Sequence, residues 1–244
     1  MALFVQWEAL EFMFKKKVLS EKARLRLKKL KEFNLPEYSI SEELMNAISH
    51  GIGAVLSIIA IILLIINSNF EIKSIVCVTI YSASLFVLYI ISTLYHSLLP
   101  CRAKKVFRVL DHCSIFLLIA GTYTPICLLV LDSFVGWSLF FIVWIAAIVG
   151  IVFNSIDIKK FAKFSMICYI AMGWVVVIAF KPLIESITAG QLALLVWGGV
   201  AYTVGAVLYV VGKKQKYVHS VWHLFVLLGS ILHFFMIFSC IKNI

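Results

Sequence analysis

A chain of 244 residues that is 63% hydrophobic and only 14% charged is not a soluble globular domain, because such domains carry about 25% charged residues. Its long apolar runs each approach the roughly 20 residues that a helix needs to cross the hydrocarbon core of a membrane. Barrel strands would alternate in polarity over about ten residues. The continuous runs therefore predict an all-α integral membrane protein, with every backbone polar group satisfied within a helix.

The first 40 residues are the one stretch that resembles a soluble tail, and they carry nine of the lysines and arginines. The run from Lys15 to Lys31 fits a basic helix on anionic lipid. It fits equally well a solvated positive flank that fixes the topology. We predict that residues 1–40 form a basic cytoplasmic tail. Ser41 is the predicted N-cap of the helix that follows.

Residues 41–244 are predicted to form one transmembrane domain without a linker or a second domain. The short loops predict that consecutive helices are antiparallel neighbours in a bundle. The seven predicted spans are residues 44–66, 74–99, 109–131, 135–153, 164–184, 192–212 and 218–241.

The distribution of cations predicts the orientation of the bundle. The tail and the three loops after spans 2, 4 and 6 together hold 19 of the 22 lysines and arginines. Because cytoplasmic loops are enriched in these residues, the N-terminus is predicted to be cytoplasmic and the C-terminus outside. The same distribution explains the net charge of +10 without a nucleic-acid partner.

Ionisable residues then gather at the cytoplasmic ends of three spans. His219 and His223 lie four residues apart and so share one helical face, and His96 and Asp111 fall at the same depth. Ionisable side chains inside a span are costly and are candidates for function. Three histidines can bind zinc and leave a fourth position for a water whose pKa falls to about 7. Asp111 could take a proton from that water, and Ser92, one turn deeper than His96, could polarise a substrate carbonyl.

Each of these residues also has a simpler interpretation. The three histidines could be solvated near the lipid headgroups, Asp111 could pair with Arg108 three residues earlier, and Ser92 could bond the carbonyl of Leu88. Glu43, Asn46 and His50 share a face of span 1, where they could complete a polar cavity or serve packing and capping. His112 points away from Asp111, and His233 fits a packed histidine. Pro125 and Pro182 fit kinks or span ends.

The motifs Ser92-x-x-x-His96, Asp111 and His219-x-x-x-His223 resemble those of the hemolysin III group. This group belongs with the progestin and adipoQ receptors and the superfamily that includes alkaline ceramidases. Residues 46–53, 110–112 and 120–125 also resemble the group, so that the likeness extends over about residues 40–241. It implies seven helices around a zinc ion held by His96, His219 and His223, with Asp111 and Ser92 close by. It further implies lipid-amide hydrolysis and a bacterial plasma membrane.

The resulting prediction is metal-assisted hydrolysis of a lipid amide or ester at the cytoplasmic leaflet, with a membrane lipid as substrate or ligand. A receptor-like or homeostatic protein whose zinc is structural, tying spans 2 and 7 together, is the main alternative. A cytolytic protein is a further alternative, although a secreted pore former needs a soluble state that this apolar chain hardly permits.

Overall fold

The computed structural model describes residues 21–212 and 215–242, which form helices and, within these ranges, no strand. Helix α1 covers residues 21–32. A π-helical turn, Ile126–Leu131, extends the α-helix that ends at Pro125, and a 3-10 turn, Val175–Ala179, joins the helices that end at Trp174 and begin at Phe180. The helices after α1 are α2 Ile40–Ile66, α3 Ile72–Ser97, α4 Arg102–Pro125, α5 Phe134–Asp157, α6 Ala162–Trp174, α7 Phe180–Ser186, α8 Ala189–Val211 and α9 Val218–Ile241.

Seven of these helical stretches are long and apolar enough to cross a membrane, which confirms the predicted fold class. Helix α2 packs against α3, α3 against α4, α4 against α5 and α8 against α9, as expected for consecutive spans. Helix α9 also packs against α2, so the first and last spans are neighbours. We call the end of the bundle where α2, α4, α6 and α9 begin the basic end, because the cation-rich loops lie there.

Span boundaries differ from prediction mainly at the basic end. The third span begins at Arg102 instead of residue 109, and the fourth ends at Asp157 instead of residue 153. Hydropathy falls at the first charged residues, whereas lysine and arginine are good helix formers and allow the helix to continue beyond the apolar run. These additional turns carry Lys104 and Arg108, whose side chains both contribute to the site described below.

The N-cap of α2 is Ser39, and the prediction of Ser41 was wrong. Ser39 Oγ accepts a hydrogen bond from the backbone N–H of Glu42 at 3.3 Å, and the Ser39 N–H donates to Glu42 Oε2 at 2.8 Å. This reciprocal pair is a capping box, in which a serine is followed three residues later by a glutamate. Ser41 lies inside the first turn of the helix.

The described part of the predicted tail packs onto the basic end of the bundle. Leu30 in α1 and Leu35 in the following segment are buried. The Arg108 guanidinium donates to the backbone carbonyl of Asn34 at 3.1 Å. The segment of residues 33–39 thus lies across this end before α2 begins. Residues 1–20 of the predicted tail are outside the described residues.

Several predicted packing features are confirmed. His233 Nε2 lies 3.1 Å from the carbonyl oxygen of Leu195, and its ring occupies the space beside Gly198. The α-helical part of α4 ends at Pro125, and the 3-10 turn precedes Pro182 in the following helix. Both prolines therefore lie where an α-helix is interrupted, as predicted, and neither is a candidate for catalysis.

Close packing of α2 and α3 at Gly53 gives a first testable prediction. A Cβ atom added to Gly53 would lie 2.4 Å from the Tyr89 ring, whereas one added to Gly173 would meet nothing within 4 Å. We expect Gly53→Ala to destabilise the protein by about 1–3 kcal/mol through overpacking. Gly173→Ala, the matched control, should leave the stability unchanged or slightly raised. Thermal unfolding in detergent measures both, and equal melting temperatures for the two variants would contradict the packing.

Candidate metal centre

Three buried histidines converge at the basic end of the bundle. Atoms of His96, His219 and His223 that could bind a metal all lie within 4.8 Å of one another. The Nε2 atom of His219 is 3.4 Å from that of His96 and 3.2 Å from that of His223. Tetrahedral zinc–nitrogen bonds of about 2.0–2.1 Å place two nitrogen ligands roughly 3.3 Å apart. The histidines therefore fit the ligand set of a single divalent ion.

The start of α9 is fixed to the start of α2, which sets the position of two of these histidines. Tyr217 precedes α9 with a left-handed backbone, φ 64°. Its N–H donates to Glu42 Oε1 at 2.8 Å, and its hydroxyl lies 3.1 Å from Ser41 Oγ. Because α9 begins at this anchored residue, His219 and His223 occupy its first two turns on the face that contacts α2 and α3.

A buried carboxylate holds the third histidine. Glu43 Oε2 lies 2.7 Å from His96 Nδ1, and Lys104 Nζ lies 2.8 Å from Glu43 Oε1. Arg26 approaches the same carboxylate at 3.8 Å. A histidine that binds a metal commonly donates its other N–H to a carboxylate, which fixes the ring and its tautomer. This arrangement directs His96 Nε2 toward His219.

Glu43 therefore yields a second prediction. Glu43→Gln should weaken metal binding by about 10–100-fold, as loss of a hydrogen-bond partner of a ligand histidine typically does. Competition of the purified variant against a chelator of known affinity measures the change. Glu32→Gln, which removes an exposed carboxylate of α1, is the control and should bind metal as the wild type does. Unchanged affinity in Glu43→Gln would show that the carboxylate does not position His96.

Asp111 is not one of the converging ligands among the described residues. Its carboxylate lines a cavity that His219 also lines. The alternative of a salt bridge to Arg108 is not found among the described residues: Asp111 Oδ2 lies 3.8 Å from His112 Nδ1, and the Arg108 guanidinium donates to the Asn34 carbonyl. Asp111 and His219 therefore line the same cavity.

Ser92 is buried beside Asp111 on the neighbouring helix. Its Oγ has no hydrogen-bond partner of normal geometry among the described residues. The alternative interpretation, in which this hydroxyl bonds the carbonyl of Leu88, is therefore wrong. The hydroxyl has the Asp111 carboxylate as its polar neighbour.

Two further rings pack on the histidine group. The His50 ring lies 3.7 Å from that of His223, centroid to centroid, and edge-on to Tyr89. Tyr38 stacks on His219 at 4.7 Å with an interplanar angle of 13°. Burial raises the pKa of Tyr38, so this ring is a neutral phenol. Sequence reasoning left His50 open and missed Tyr38, which lies outside every apolar run.

A cavity of about 1010 Å³ extends from this centre into the bundle. At the basic end its wall includes Asp111 and His219, whereas apolar side chains such as Leu118, Ile119 and Val226 line it further in. Ligand pockets commonly measure about 300–1,000 Å³ and combine apolar walls with a few polar groups. The size and the polarity gradient suit a lipid with its polar part near the histidines.

Fold and site together define a seven-span membrane protein with a buried three-histidine group that adjoins a largely apolar cavity. The chain matches the family described as "Haemolysin-III related" over residues 38–234, and it belongs to this family. It is 46% identical to "Hemolysin-3" of Bacillus cereus over 200 residues, covering 81% of this chain and 91% of that protein. It is 43% identical to "Hemolysin-3 homolog" of Bacillus subtilis (strain 168), covering 84% of this chain and 97% of the relative.

A more distant similarity connects the chain to an animal protein. The human "Monocyte to macrophage differentiation factor" is 25% identical over 171 residues, which is 66% of this chain and 68% of that protein. The family model covers every histidine of the candidate centre, together with Glu43, Ser92 and Asp111.

Proposed function

We propose that this protein is a zinc-dependent hydrolase that cleaves an amide or ester bond in a membrane lipid. The observation that carries the proposal is a group of three converging histidines without a fourth protein ligand in the described chain. Such a set leaves one coordination position open, as in catalytic zinc sites. The adjoining cavity, lined by Asp111 and by apolar side chains, supplies room for the lipid.

The residues of the chain have separate roles in this proposal. Zinc, when bound, supplies Lewis-acid chemistry by polarising a carbonyl and by lowering the pKa of a water. Asp111 holds and transfers the proton, because its carboxylate faces the cavity. Ser92 donates its hydroxyl to the carbonyl oxygen, where charge develops during hydrolysis. Glu43 keeps His96 in the tautomer whose Nε2 is free for the metal.

We further propose that the basic end faces the cytoplasm in the plasma membrane of a bacterium. The strong asymmetry of lysine and arginine between the two sides of the bundle supports this orientation. Two bacterial relatives of high identity support the location. The catalytic centre would then act on lipids of the cytoplasmic leaflet.

Metal removal tests the proposed function directly. Purified protein in vesicles with a panel of acylated lipid amides and esters should release fatty acid. Treatment with a zinc chelator should abolish the release, and added zinc should restore it. Mass spectrometry of the lipids measures the products. Equal release from chelated and zinc-loaded protein, or no release across the panel, would contradict the proposal.

One observation favours a structural role for zinc as the second candidate. Ligands from α3 and α9 would join two spans that are far apart along the chain. In that case metal removal would lower the melting temperature strongly while no lipid product formed at any metal content. Lysis of cells by low doses of the purified protein would instead support a cytolytic function, which the names of the bacterial relatives suggest.

A further inference from the structure

Two cations at the mouth of the cavity converge on a neutral residue. The Arg108 guanidinium donates to the backbone oxygen of Asn34 at 3.1 Å, and Lys159 Nζ donates to the Oδ1 atom of the same residue. Arg108, Lys159 and Asn34 all line the cavity. Within the described chain neither cation forms a salt bridge.

The neighbouring acidic groups form no salt bridge with these cations in the residues described. Glu42 lines the cavity, but its carboxylate accepts hydrogen bonds from Ser39 and from the Tyr217 N–H. Asp157 accepts the backbone N–H groups of the turn that carries Lys159. Glu37 and Asp111 also line the cavity and form no salt bridge with either cation in the residues described. Neither cation of the pair at Asn34 is therefore in direct contact with a carboxylate in the residues described.

Asn34 accepts a hydrogen bond from each of the two cations, one at its backbone oxygen and one at its side-chain Oδ1. Its backbone is left-handed, φ 56°, a conformation that asparagine tolerates better than most residues. Both of its acceptors are neutral amide oxygens. Charged oxygens of a phosphate would form shorter and stronger bonds to the same donors, because charge-assisted hydrogen bonds are about twice as strong as neutral ones. The Arg108 Nε atom is, in addition, buried without a partner in the described structure.

We propose that Arg108 and Lys159 form a binding site for a phosphate group at the cavity mouth, with Asn34 as the internal group that the phosphate displaces. The proposal rests on the function proposed above and deepens it by identifying the lipid as one with a phosphate-bearing headgroup. Arginine is suited to this role because its planar fork matches the oxygens of a phosphate.

The spacing along α4 places this site close to Asp111. Arg108 precedes Asp111 by three residues, which is about 4.5 Å along the helix axis. A phosphate at Arg108 therefore leaves the next few bonds of the lipid beside Asp111 and His219, and the acyl chain extends into the apolar part of the cavity. The phosphate, the bond to be cleaved and the chain then occupy one continuous path.

Binding to three probes tests the site without any need for turnover. The probes are oleoyl lysophosphatidic acid, monooleoylglycerol, which has the same chain without the phosphate, and inorganic phosphate. Each is titrated against zinc-loaded full-length protein, and the ligand-dependent rise in melting temperature gives its affinity. We expect the double variant Arg108→Gln with Lys159→Gln to bind lysophosphatidic acid at least about tenfold more weakly, since charge-assisted bonds are lost. Its affinity for monooleoylglycerol should not change.

A double variant of equal charge supplies the control. Lys105 and Lys160 are exposed neighbours of the proposed pair and do not line the cavity. Lys105→Gln with Lys160→Gln should bind lysophosphatidic acid as the wild type does. Arg108→Lys with Lys159→Arg should retain most of the affinity, and zinc content checks that each variant is folded. If inorganic phosphate displaces the lipid only at a concentration much higher than that of the lipid, the site binds a lipid headgroup. If it displaces the lipid at a similar concentration, the site binds free phosphate.

Two results would overturn the site. One is equal affinity of the wild type for the two oleoyl lipids. The other is an equal loss of lysophosphatidic acid binding in both glutamine double variants. That result would show that binding depends on the total positive charge and not on Arg108 and Lys159. Phosphate-selective binding without any lipid cleavage would leave the site in place and contradict the hydrolase alone.

Discussion

Replacing His219 with alanine should leave the purified protein almost free of zinc. The variant loses one of three converging ligands, so its affinity should fall by more than the roughly 10–100-fold that accompanies loss of a ligand's hydrogen-bond partner. Inductively coupled plasma mass spectrometry of protein purified without added metal measures the content. His96→Ala and His223→Ala should behave in the same way, since the Nε2 atoms of these two rings lie 3.4 Å and 3.2 Å from His219 Nε2.

The matched control lies on the same helix. His233 is also buried in α9, but its Nε2 faces the Leu195 carbonyl, away from the histidine group. His233→Gln retains a donor for that carbonyl and should purify with as much zinc as the wild type. Equal zinc in His219→Ala and the wild type would refute the metal centre, and equal loss in His233→Gln would indicate a general effect on folding.

Asp111→Asn should separate metal binding from catalysis. The carboxylate is not among the converging ligands, so the variant should retain its zinc. If Asp111 accepts and donates the proton during hydrolysis, the turnover number should fall by about 10²–10⁴, the usual contribution of general acid–base catalysis. Lipid product from the variant and the wild type in matched vesicles gives the ratio.

The pH profile of turnover adds a readout that a merely structural role would not change. Loss of the Asp111 carboxyl should remove one limb of the wild-type profile, because the group that governs it is gone. Asp157→Asn is a suitable control, since Asp157 lies at the end of α5 and bonds only the adjacent turn. Full activity in Asp111→Asn would exclude the proposed role, and loss of zinc would make Asp111 part of the metal site.

The spans and the histidine triad were predictable from sequence for local reasons. A run of about 20 apolar residues determines a transmembrane helix by itself. The spacing of His219 and His223 places both on one face of α9, and the bias of charged loops brings His96 to the same end. Each inference needs only short-range pattern and the alternation of span direction.

The surroundings of the triad were not predictable because they depend on contacts between distant parts of the chain. Lys104 counted as one more loop cation in the sequence, yet its side chain is buried against Glu43, 61 positions earlier. Tyr38 and Asn34 lie in a polar stretch with no periodicity, and only the packing of residues 33–39 across the basic end gives them neighbours. The N-cap of α2 differs: Ser41 was predicted, although the serine and glutamate of the Ser39 capping box stand three residues apart in the sequence.

The anchoring of α9 to α2 also constrains when the site can form during biosynthesis. Helix α9 is the last of the seven spans to leave the ribosome, and it carries two of the three histidines. A nascent chain holding only α2 to α8 offers His96 alone, which is a poor ligand set for zinc. If the three histidines hold a metal, the complete site can form only after the final span has inserted and joined the first, so metal uptake would report completed assembly of the bundle.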